Sequence, residues 1–195
     1  IVGAASGNEK VEFTFRHALS KVKFSFVNGY NASTATIRVK NVTITNAWES
    51  ATATLTKDAT AWNNHANAIT LSFGNAATGA VDAEEAYEYN KTVESYNELL
   101  MIPGTAPAVT YMKDGVEVNE NVYKVTFTVD LLVNGTFIKS YDHVAYAKFA
   151  PEAGNAYDIS TTINAENIDP ENEQEPIEFT VTEITDWTNG ADQTM

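Results

Sequence analysis

The sequence predicts an all-β protein, an antiparallel β-sandwich of the transthyretin or immunoglobulin type with little helix. Three observations lead to this prediction. The 195 residues include 24 threonines and 19 asparagines, and threonine favours strands whereas asparagine favours the turns between them. Apolar and polar residues alternate over many short segments, which is typical of half-buried strands. No window has an apolar period of about 3.6 residues, so helical crossovers between parallel strands are not expected.

The first strands contain shifts in this alternation that predict irregular pairing. Apolar side chains occupy odd positions in residues 11–15 but even positions in residues 22–26. Since side chains alternate strictly along a strand, such a shift requires an extra residue. We expect a bulge or a tight bend between these two segments, and again at the two other places where the alternation shifts. Those shifts separate Ile37 and Val39 from Val42 and Ile44, and Val181 from Ile184.

The later strands are bounded by turn residues. Asp114-Gly115 and Asn134-Gly135 each lie between β-forming residues and predict type I′ hairpin turns. The alternation is cleanest in residues 122–133, which predicts a strand with one buried face. The other strands predicted from the pattern are residues 51–57, 68–73, 99–102, 108–113, 136–140, 144–149, 156–163 and 177–187.

Two acidic segments interrupt the strands. Residues 82–98 carry six acids and three tyrosines, which predicts a loop or one short helix. Residues 169–176, with the sequence DPENEQEP, hold four acids and two prolines and predict a solvated excursion between two strands. No repeat and no Gly/Ser linker divides the chain, so we interpret residues 1–195 as one sandwich domain in which residues 1–10 form a leader segment.

Composition excludes several classes of function. The formal net charge of −14 argues against nucleic acid and anionic membrane surfaces, because both are bound through clustered cations. The absence of cysteine excludes disulfides, thiolate nucleophiles and cysteine-bound metals. No apolar run approaches about 18 residues, so no transmembrane segment is predicted. The first ten residues lack the charged and apolar regions of an export signal, so either the protein is not exported or its signal precedes this sequence.

The sequence contains no motif that predicts catalysis. His17, His65 and His143 lie far apart without the spacing of metal ligands. Residues 169–175 offer carboxylates that calcium could use, but they lack the central glycine and the ligand spacing of a calcium-binding loop. No nucleophile elbow, phosphate-binding loop or dinucleotide fingerprint is present. We therefore predict no catalytic residue, no cofactor and no metal site.

Four aromatic residues are the candidates for a ligand-binding surface. Exposed aromatic rings can stack against sugar rings, so Trp62, Tyr87, Tyr89 and Tyr96 would suit a glycan-binding platform. The alternative is that these rings cover the core, which is the more common role of loop aromatics in all-β proteins.

Several strings in the sequence are more specific than its composition. Residues 11–26, VEFTFRHALSKVKFSF, resemble the F-x-H-A-L-[AS]-K-V-x-F motif of the fimbrillin family of Bacteroidetes-type bacteria. Residues 41–48, NVTITNAW, resemble the strand that follows it. Residues 99–107, LLMIPGTAP, and residues 153–163, AGNAYDISTTI, are similar to two later strands. Residues 177–190, IEFTVTEITDWTNG, resemble the closing strand. One difference is that Phe149 and Pro151 stand where a tryptophan often precedes the Gly-x-x-Tyr motif.

The resemblance implies a fold, a location and a set of partners. Fimbrillins are exported, typically lipid-anchored subunits of surface fimbriae. During their assembly an N-terminal strand is removed by proteolysis, and a neighbouring subunit donates a strand. The resemblance thus implies an extracellular protein, in a fimbria or anchored at the outer membrane. Its partners would be other fimbrial subunits or a host or bacterial surface receptor. In members with two sandwiches this first motif opens the second domain, so we expect a C-terminal sandwich that lacks its preceding domain.

We therefore expect a structural or adhesive fimbrillin-like subunit that assembles by strand addition. The alternative is a non-catalytic carbohydrate-binding module of a cell-surface glycan system. After Trp187 the only apolar residues are Ala191 and Met195, four positions apart, which makes residues 188–195 a poor donor strand. A terminal or accessory subunit fits such a chain better than a repeating shaft subunit.

Overall fold

The computed structural model describes residues 17–30, 34–56, 59–73, 92–94, 98–171 and 177–184. These residues form strands and connecting turns without a helix, which confirms the predicted all-β class. The strands are β1 (Ser20–Asn28), β2 (Ala35–Leu55), β3 (Thr60–Ser72), β4 (Thr92–Glu94), β5 (Leu99–Met101), β6 (Ala108–Lys113), β7 (Val116–Asn121), β8 (Tyr123–Val133), β9 (Thr136–Ala147), β10 (Ala156–Ile163) and β11 (Thr180–Ile184).

The first sheet is built around β1. On one side β1 pairs with β10, and β11 pairs with the far side of β10. On its other side β1 pairs with β5 near its start and with β4 near its end. The β1–β10 pair is parallel, which differs from the purely antiparallel prediction. A parallel pair needs a long crossover, and here the whole second sheet provides it in place of a helix.

The second sheet has the order β3-β2-β8-β9 and is antiparallel throughout. The pairing of β2 with β8 shifts between Lys40 and Thr43, where Asn41 adopts a φ of 57°. This irregularity confirms the extra residue predicted between Val39 and Val42, and it keeps apolar side chains of both halves of β2 on the buried face.

The two sheets pack face to face around an aromatic core. The Phe26 ring of β1 lies 5.2 Å from the Phe127 ring of β8. Phe24 meets Phe73 edge to face at 4.8 Å. These contacts join the two sheets and confirm the sandwich. The apolar residues that are fully buried between them include Val22, Ile37, Val39, Val42, Ile44, Tyr123, Val125, Val129, Ile159 and Ile163.

Both predicted hairpin turns are confirmed. Asp114 and Gly115 have φ values of 51° and 75°, and Asn134 and Gly135 have φ values of 50° and 74°. Positive φ at both central positions defines the type I′ turn, whose twist matches that of the flanking strands. The first turn joins β6 to β7 and the second joins β8 to β9.

Several strand predictions require correction. Residues 92–94 form β4, although the acidic segment 82–98 was expected to be a loop or a short helix; pairing with β1 outweighs the weak local pattern. Residues 116–121 form β7, which the polar sequence VEVNEN does not suggest. β9 runs unbroken from 136 to 147, because its polar middle lies at a sheet edge where solvated side chains are tolerated.

The shift expected between Val181 and Ile184 is wrong. β11 pairs with β10 in one continuous register, from Thr180 opposite Ser160 to Ile184 opposite Ala156. Both apolar residues are half-buried, so at this edge strand they do not mark a single buried face. Other predictions lie outside the described residues: the strand 11–15, most of residues 82–98, residues 172–176 and Trp187.

Candidate functional site

Trp62 is the one candidate ligand-binding aromatic that lies within the described residues; Tyr87, Tyr89 and Tyr96 lie outside them. Trp62 belongs to β3, in a two-stranded arm that we define as residues 47–55 of β2 and 60–69 of β3. The arm continues past the point where β2 leaves β8. Its sequence alternates poorly because solvent reaches both of its faces over much of its length.

Three aromatic side chains of the arm hold it against neighbouring loops. Trp62 donates through Nε1 to the carbonyl of Ala18 at 2.7 Å, and Trp48 donates through Nε1 to the carbonyl of Thr105 at 2.9 Å. His65 Nε2 lies 2.7 Å from the carbonyl oxygen of Pro103. Since a carbonyl only accepts, this nitrogen carries the proton.

The sequence does not predict the grouping of Trp48 and His65 with Trp62. Their rings lie 5.4 Å apart, although they are separated by the turn of the arm. The pairing of the arm is irregular between Ser50 and Thr52, where Asn64 adopts a φ of 54°. A bulge changes the direction of the neighbouring side chain, and the residue that follows Asn64 is His65. Two asparagines before a histidine are too common a pattern to predict this bulge from the sequence.

Gly104 allows the arm to approach the loop after β5. Its φ is +135°, and a Cβ at this position would lie 2.5 Å from His65 Nε2. Its amide also donates to the carbonyl of Pro151 at 2.9 Å. A side chain here would push away the imidazole that bonds to Pro103.

The second candidate site is the outer edge of β9. Within the described residues, β9 pairs with β8 alone and ends the second sheet. Three large apolar side chains of this edge strand, Phe137, Ile138 and Val144, are each more than half exposed. Unpaired main-chain groups beside exposed apolar side chains are the features that allow another strand to add to a sheet.

A slot of about 810 Å³ runs beside this edge. The β6–β7 hairpin forms one wall, held by the stacked rings of Tyr111 and Tyr146, whose centroids lie 3.8 Å apart. Lys148 pairs with Glu120 of the same hairpin at 3.5 Å. Residues 177–179 also line the slot. The slot is therefore bounded by β9, by the β6–β7 hairpin and by residues 177–179.

His143 lies in β9 at the base of this slot and is 4% exposed. Its ring stacks on Phe127 with centroids 5.1 Å apart, and its Nε2 has no hydrogen-bond partner among the described residues. Burial lowers the pKa of His143 below its ordinary value of 6.5, against the opposing effects of the Ile168 backbone, Asp142 and Asp169. The neutral imidazole is therefore the form that the fold favours.

These sites offer binding surfaces and no reactive constellation. In the parts of the chain that the structure describes, no three His, Asp or Glu side chains lie close enough to hold a metal ion. The same parts contain no helix with the length and apolarity needed to cross a membrane.

A family model described as fimbrillin-like matches residues 2–187. The chain belongs to the fimbrillin-like family. At the level of the family, this membership supports a structural protein of fimbriae. Among curated proteins, none matches this sequence.

Two crystal structures are similar to this fimbrillin-like chain. A fimbrial protein from Bacteroides vulgatus has 12% sequence identity and a TM-score of 0.35, over 87% of this chain and 54% of that chain. A candidate cell adhesion protein from Bacteroides fragilis has 12% identity and a TM-score of 0.29, over 90% of this chain and 48% of that chain. This chain thus spans about half the length of each of the two.

Two of the motifs that carry the fimbrillin resemblance, residues 11–26 and residues 153–163, meet at one end of the first sheet. The amide of Gly154 donates to the carbonyl of Leu19 at 3.0 Å. The Ser20 hydroxyl donates to the carbonyl of Glu152 at 2.6 Å, whose own amide donates to the Tyr157 hydroxyl at 3.1 Å. In this chain the two motifs therefore fasten the start of β1 to the start of β10, which is a structural role.

Proposed function

We propose that this chain is a non-catalytic, structural or adhesive subunit of a bacterial surface fimbria, and that it accepts a strand from a neighbouring subunit along β9. The observation that carries the strand-accepting role is the edge of β9, with its exposed apolar side chains and the slot beside it. Family membership supports the fimbrial role.

An incoming strand would gain two kinds of interaction at this edge. Its main chain would pair with the outward-facing N–H and C=O groups of β9, and its alternate side chains would cover exposed apolar surface. Val144 is 56% exposed and lies in the middle of the β9 residues that line the slot, 142–146, and Met112 of the β6–β7 hairpin lines the same slot. Burying such surface contributes about 25 cal/mol per Å².

A second argument, from the sequence of residues 188–195, supports a terminal or accessory position in the fimbria. A donor strand needs apolar side chains at every second position, and residues 188–195 supply only Ala191 and Met195. Burying these two would contribute about 2–4 kcal/mol, which is less than the free energy lost on ordering the eight residues at roughly 1–2 kcal/mol each. Residues 188–195 are thus poorly suited to serve as a donor strand.

The proposed location is the bacterial surface, within a fimbria or at its outer-membrane attachment. The proposed partners are other fimbrial subunits and, for an adhesive subunit, a receptor on a host or bacterial surface. The formal charge of −14 suits a protein that must remain soluble outside the cell.

A pair of lysine variants tests the role of β9. Val144→Lys places a charge in the middle of the proposed strand-binding edge, whereas Leu55→Lys places the same charge at an apolar side chain of the arm that is 68% exposed. Both side chains are exposed, so both variants should fold, which thermal melting checks. Fimbriae sheared from producing cells are then probed with an antibody against this chain.

The wild type and Leu55→Lys should enter the fimbrial fraction, and Val144→Lys should not. Equal incorporation of the two variants would overturn the assignment of β9 as the acceptor edge. Absence of the wild type from both the fimbriae and the cell surface would overturn the fimbrial role itself.

A further inference from the structure

Two of the three tryptophans of the chain lie outside the buried core. Trp48 and Trp62 are half-buried on the arm, and neither belongs to the apolar cluster between the sheets. An indole that fills a core contributes through the area it buries. Because Trp48 and Trp62 are only half-buried, they gain less of this stabilisation, and their position on the arm requires another explanation.

Both rings are held in fixed orientations. The indole N–H groups of Trp48 and Trp62 bond to the carbonyls of Thr105 and Ala18, so each ring is tied down along one edge. A ring fixed in this way loses little further conformational freedom when a ligand binds its face. The hydrogen bonds explain the orientation of the rings but do not require residues as large as tryptophan.

Trp62 lies between two clefts. One cleft, of about 520 Å³, runs from Trp62 to Glu152 and Asn155. The other, of about 430 Å³, is lined by Trp48, Trp62 and Asn121. Both volumes fall in the range of about 300–1,000 Å³ that small-molecule sites occupy.

The residues lining these two clefts define the class of ligand. They offer indole faces together with hydroxyl, amide and carbonyl groups, and Asn121 is fixed by donating through Nδ2 to the carbonyl of Ala106 at 2.8 Å. Of the described residues that line the clefts, none is Lys or Arg, and Glu152 is acidic. An anionic ligand would meet no lysine or arginine among these lining residues and would be repelled by a chain of net charge −14.

We propose that the Trp62 clefts bind a neutral pyranose unit of an oligosaccharide. The C–H face of a pyranose carries partial positive charge and stacks on the negative face of an indole. Its hydroxyls, which point outward around the ring, would bond to the polar groups of the cleft walls. The β9 edge contributes nothing to this site, so the glycan proposal is independent of the assembly proposal.

The structure also allows a purely mechanical role, in which the tryptophans only lock the arm. Three variants separate the two roles. Trp62→Phe keeps an aromatic face but removes the N–H, Trp62→Ala removes both, and Tyr111→Ala removes an aromatic ring from the β6–β7 hairpin as the control. Each is screened on an array of neutral, sialylated and sulfated oligosaccharides, and binding of maltose, cellobiose, mannobiose and lactose is measured by calorimetry.

The wild type should bind one or more neutral glycans saturably and no sialylated or sulfated glycan selectively. Trp62→Ala should weaken that binding by about tenfold or more, whereas Trp62→Phe should retain most of it and Tyr111→Ala all of it. No saturable binding by the wild type, selective binding of anionic glycans, or unchanged affinity in Trp62→Ala would each overturn the proposal.

A measurement on the wild type covers the case in which Trp62→Ala does not fold. Indole N–H signals of Trp48 and Trp62 are resolved by NMR in protein labelled with ¹⁵N at tryptophan, and they are assigned with the Trp→Phe variants. Addition of the bound disaccharide should shift both signals, or that of Trp62 alone. Binding that leaves both signals unmoved would overturn the assigned site.

Discussion

His143 links the stability of the sandwich to pH. Burial lowers its pKa below the ordinary value of 6.5, so between the two values the unfolded chain binds a proton that the folded chain does not. Stability is therefore complete above about pH 6.5 and is lost as the pH falls through the folded pKa. The physical cause is the desolvation of an imidazole that is 4% exposed.

We expect the free energy of unfolding to fall between about pH 6.5 and about pH 5.5 in the wild type and to fall less in His143→Gln. Urea titrations at several values of pH in this window measure both slopes. Parallel slopes would contradict the role of His143. The carboxylates titrate mainly at lower pH, so they contribute little to the pH dependence of the unfolding free energy in this window.

Gly104 is a residue at which backbone conformation and packing act together. Its φ of +135° is rare for any residue with a side chain, and an added Cβ would displace His65 from Pro103. Gly104→Ala should cost about 1–3 kcal/mol of unfolding free energy from backbone strain, plus the loss of this hydrogen bond. Gly115→Ala is the control, because its φ is also positive but its Cβ would meet nothing within 4 Å. If urea unfolding showed the same loss of unfolding free energy in Gly104→Ala and Gly115→Ala, displacement of His65 would not contribute to the cost.

The sequence predicts some of these residues and not others. The Asp114-Gly115 turn is predictable because its conformation depends on its own two residues and their immediate neighbours. The proximity of Trp48 to His65 depends on a bulge in the arm, and that of Gly104 to His65 on a loop from elsewhere in the chain. Such contacts leave no periodic signal in the sequence.

At the scale of elements, the β6–β7 hairpin is attached to the second sheet by an aromatic pair. The rings of Tyr111 and Tyr146 lie nearly parallel, with an interplanar angle of 22°. A double-mutant cycle with Tyr111→Ala and Tyr146→Ala should give a coupling energy of about 0.5–1.5 kcal/mol in thermal or urea unfolding. A second cycle, of Met112→Ala with Tyr146→Ala, serves as the control and should give coupling near zero. Additive effects of the two tyrosine variants would mean that the stack does not hold the hairpin.

The buried face of a strand is predictable from this sequence, whereas the partners of strands that no hairpin turn joins are not. The alternation in β8 predicts its buried face, and Tyr123, Val125, Phe127 and Val129 are buried as expected. The parallel pairing of β1 with β10 has no counterpart in the pattern, because alternation shows which side of a strand is apolar and not which strand lies beside it. Edge strands such as β9 and β11 are hardest to delimit, since their polar residues are tolerated without interrupting the strand.

At the scale of the whole molecule, the net charge and the sequence of residues 188–195 predict the state of association. The net charge of −14 opposes self-association at low salt, and residues 188–195 make a poor donor strand. The purified chain should therefore be a monomer, or at most a weak dimer, in light scattering. Deletion of residues 188–195 should leave that result unchanged. Regular filaments of the chain alone, lost on this deletion, would contradict the prediction.

The parallel pairing of β1 with β10 also determines when the protein can finish folding. The Ser25 hydroxyl donates to Asp158 across 133 positions of sequence, so this contact closes a loop that contains the whole second sheet. Contacts of such long range slow folding, because the entropy of loop closure is lost before the contact forms. During synthesis at about 5–20 residues per second, β1 would wait roughly 7–27 seconds for β10. In that interval the edge of β1 that later pairs with β10 is unpaired, which makes the newly made chain, more than the folded protein, the form that needs protection from aggregation.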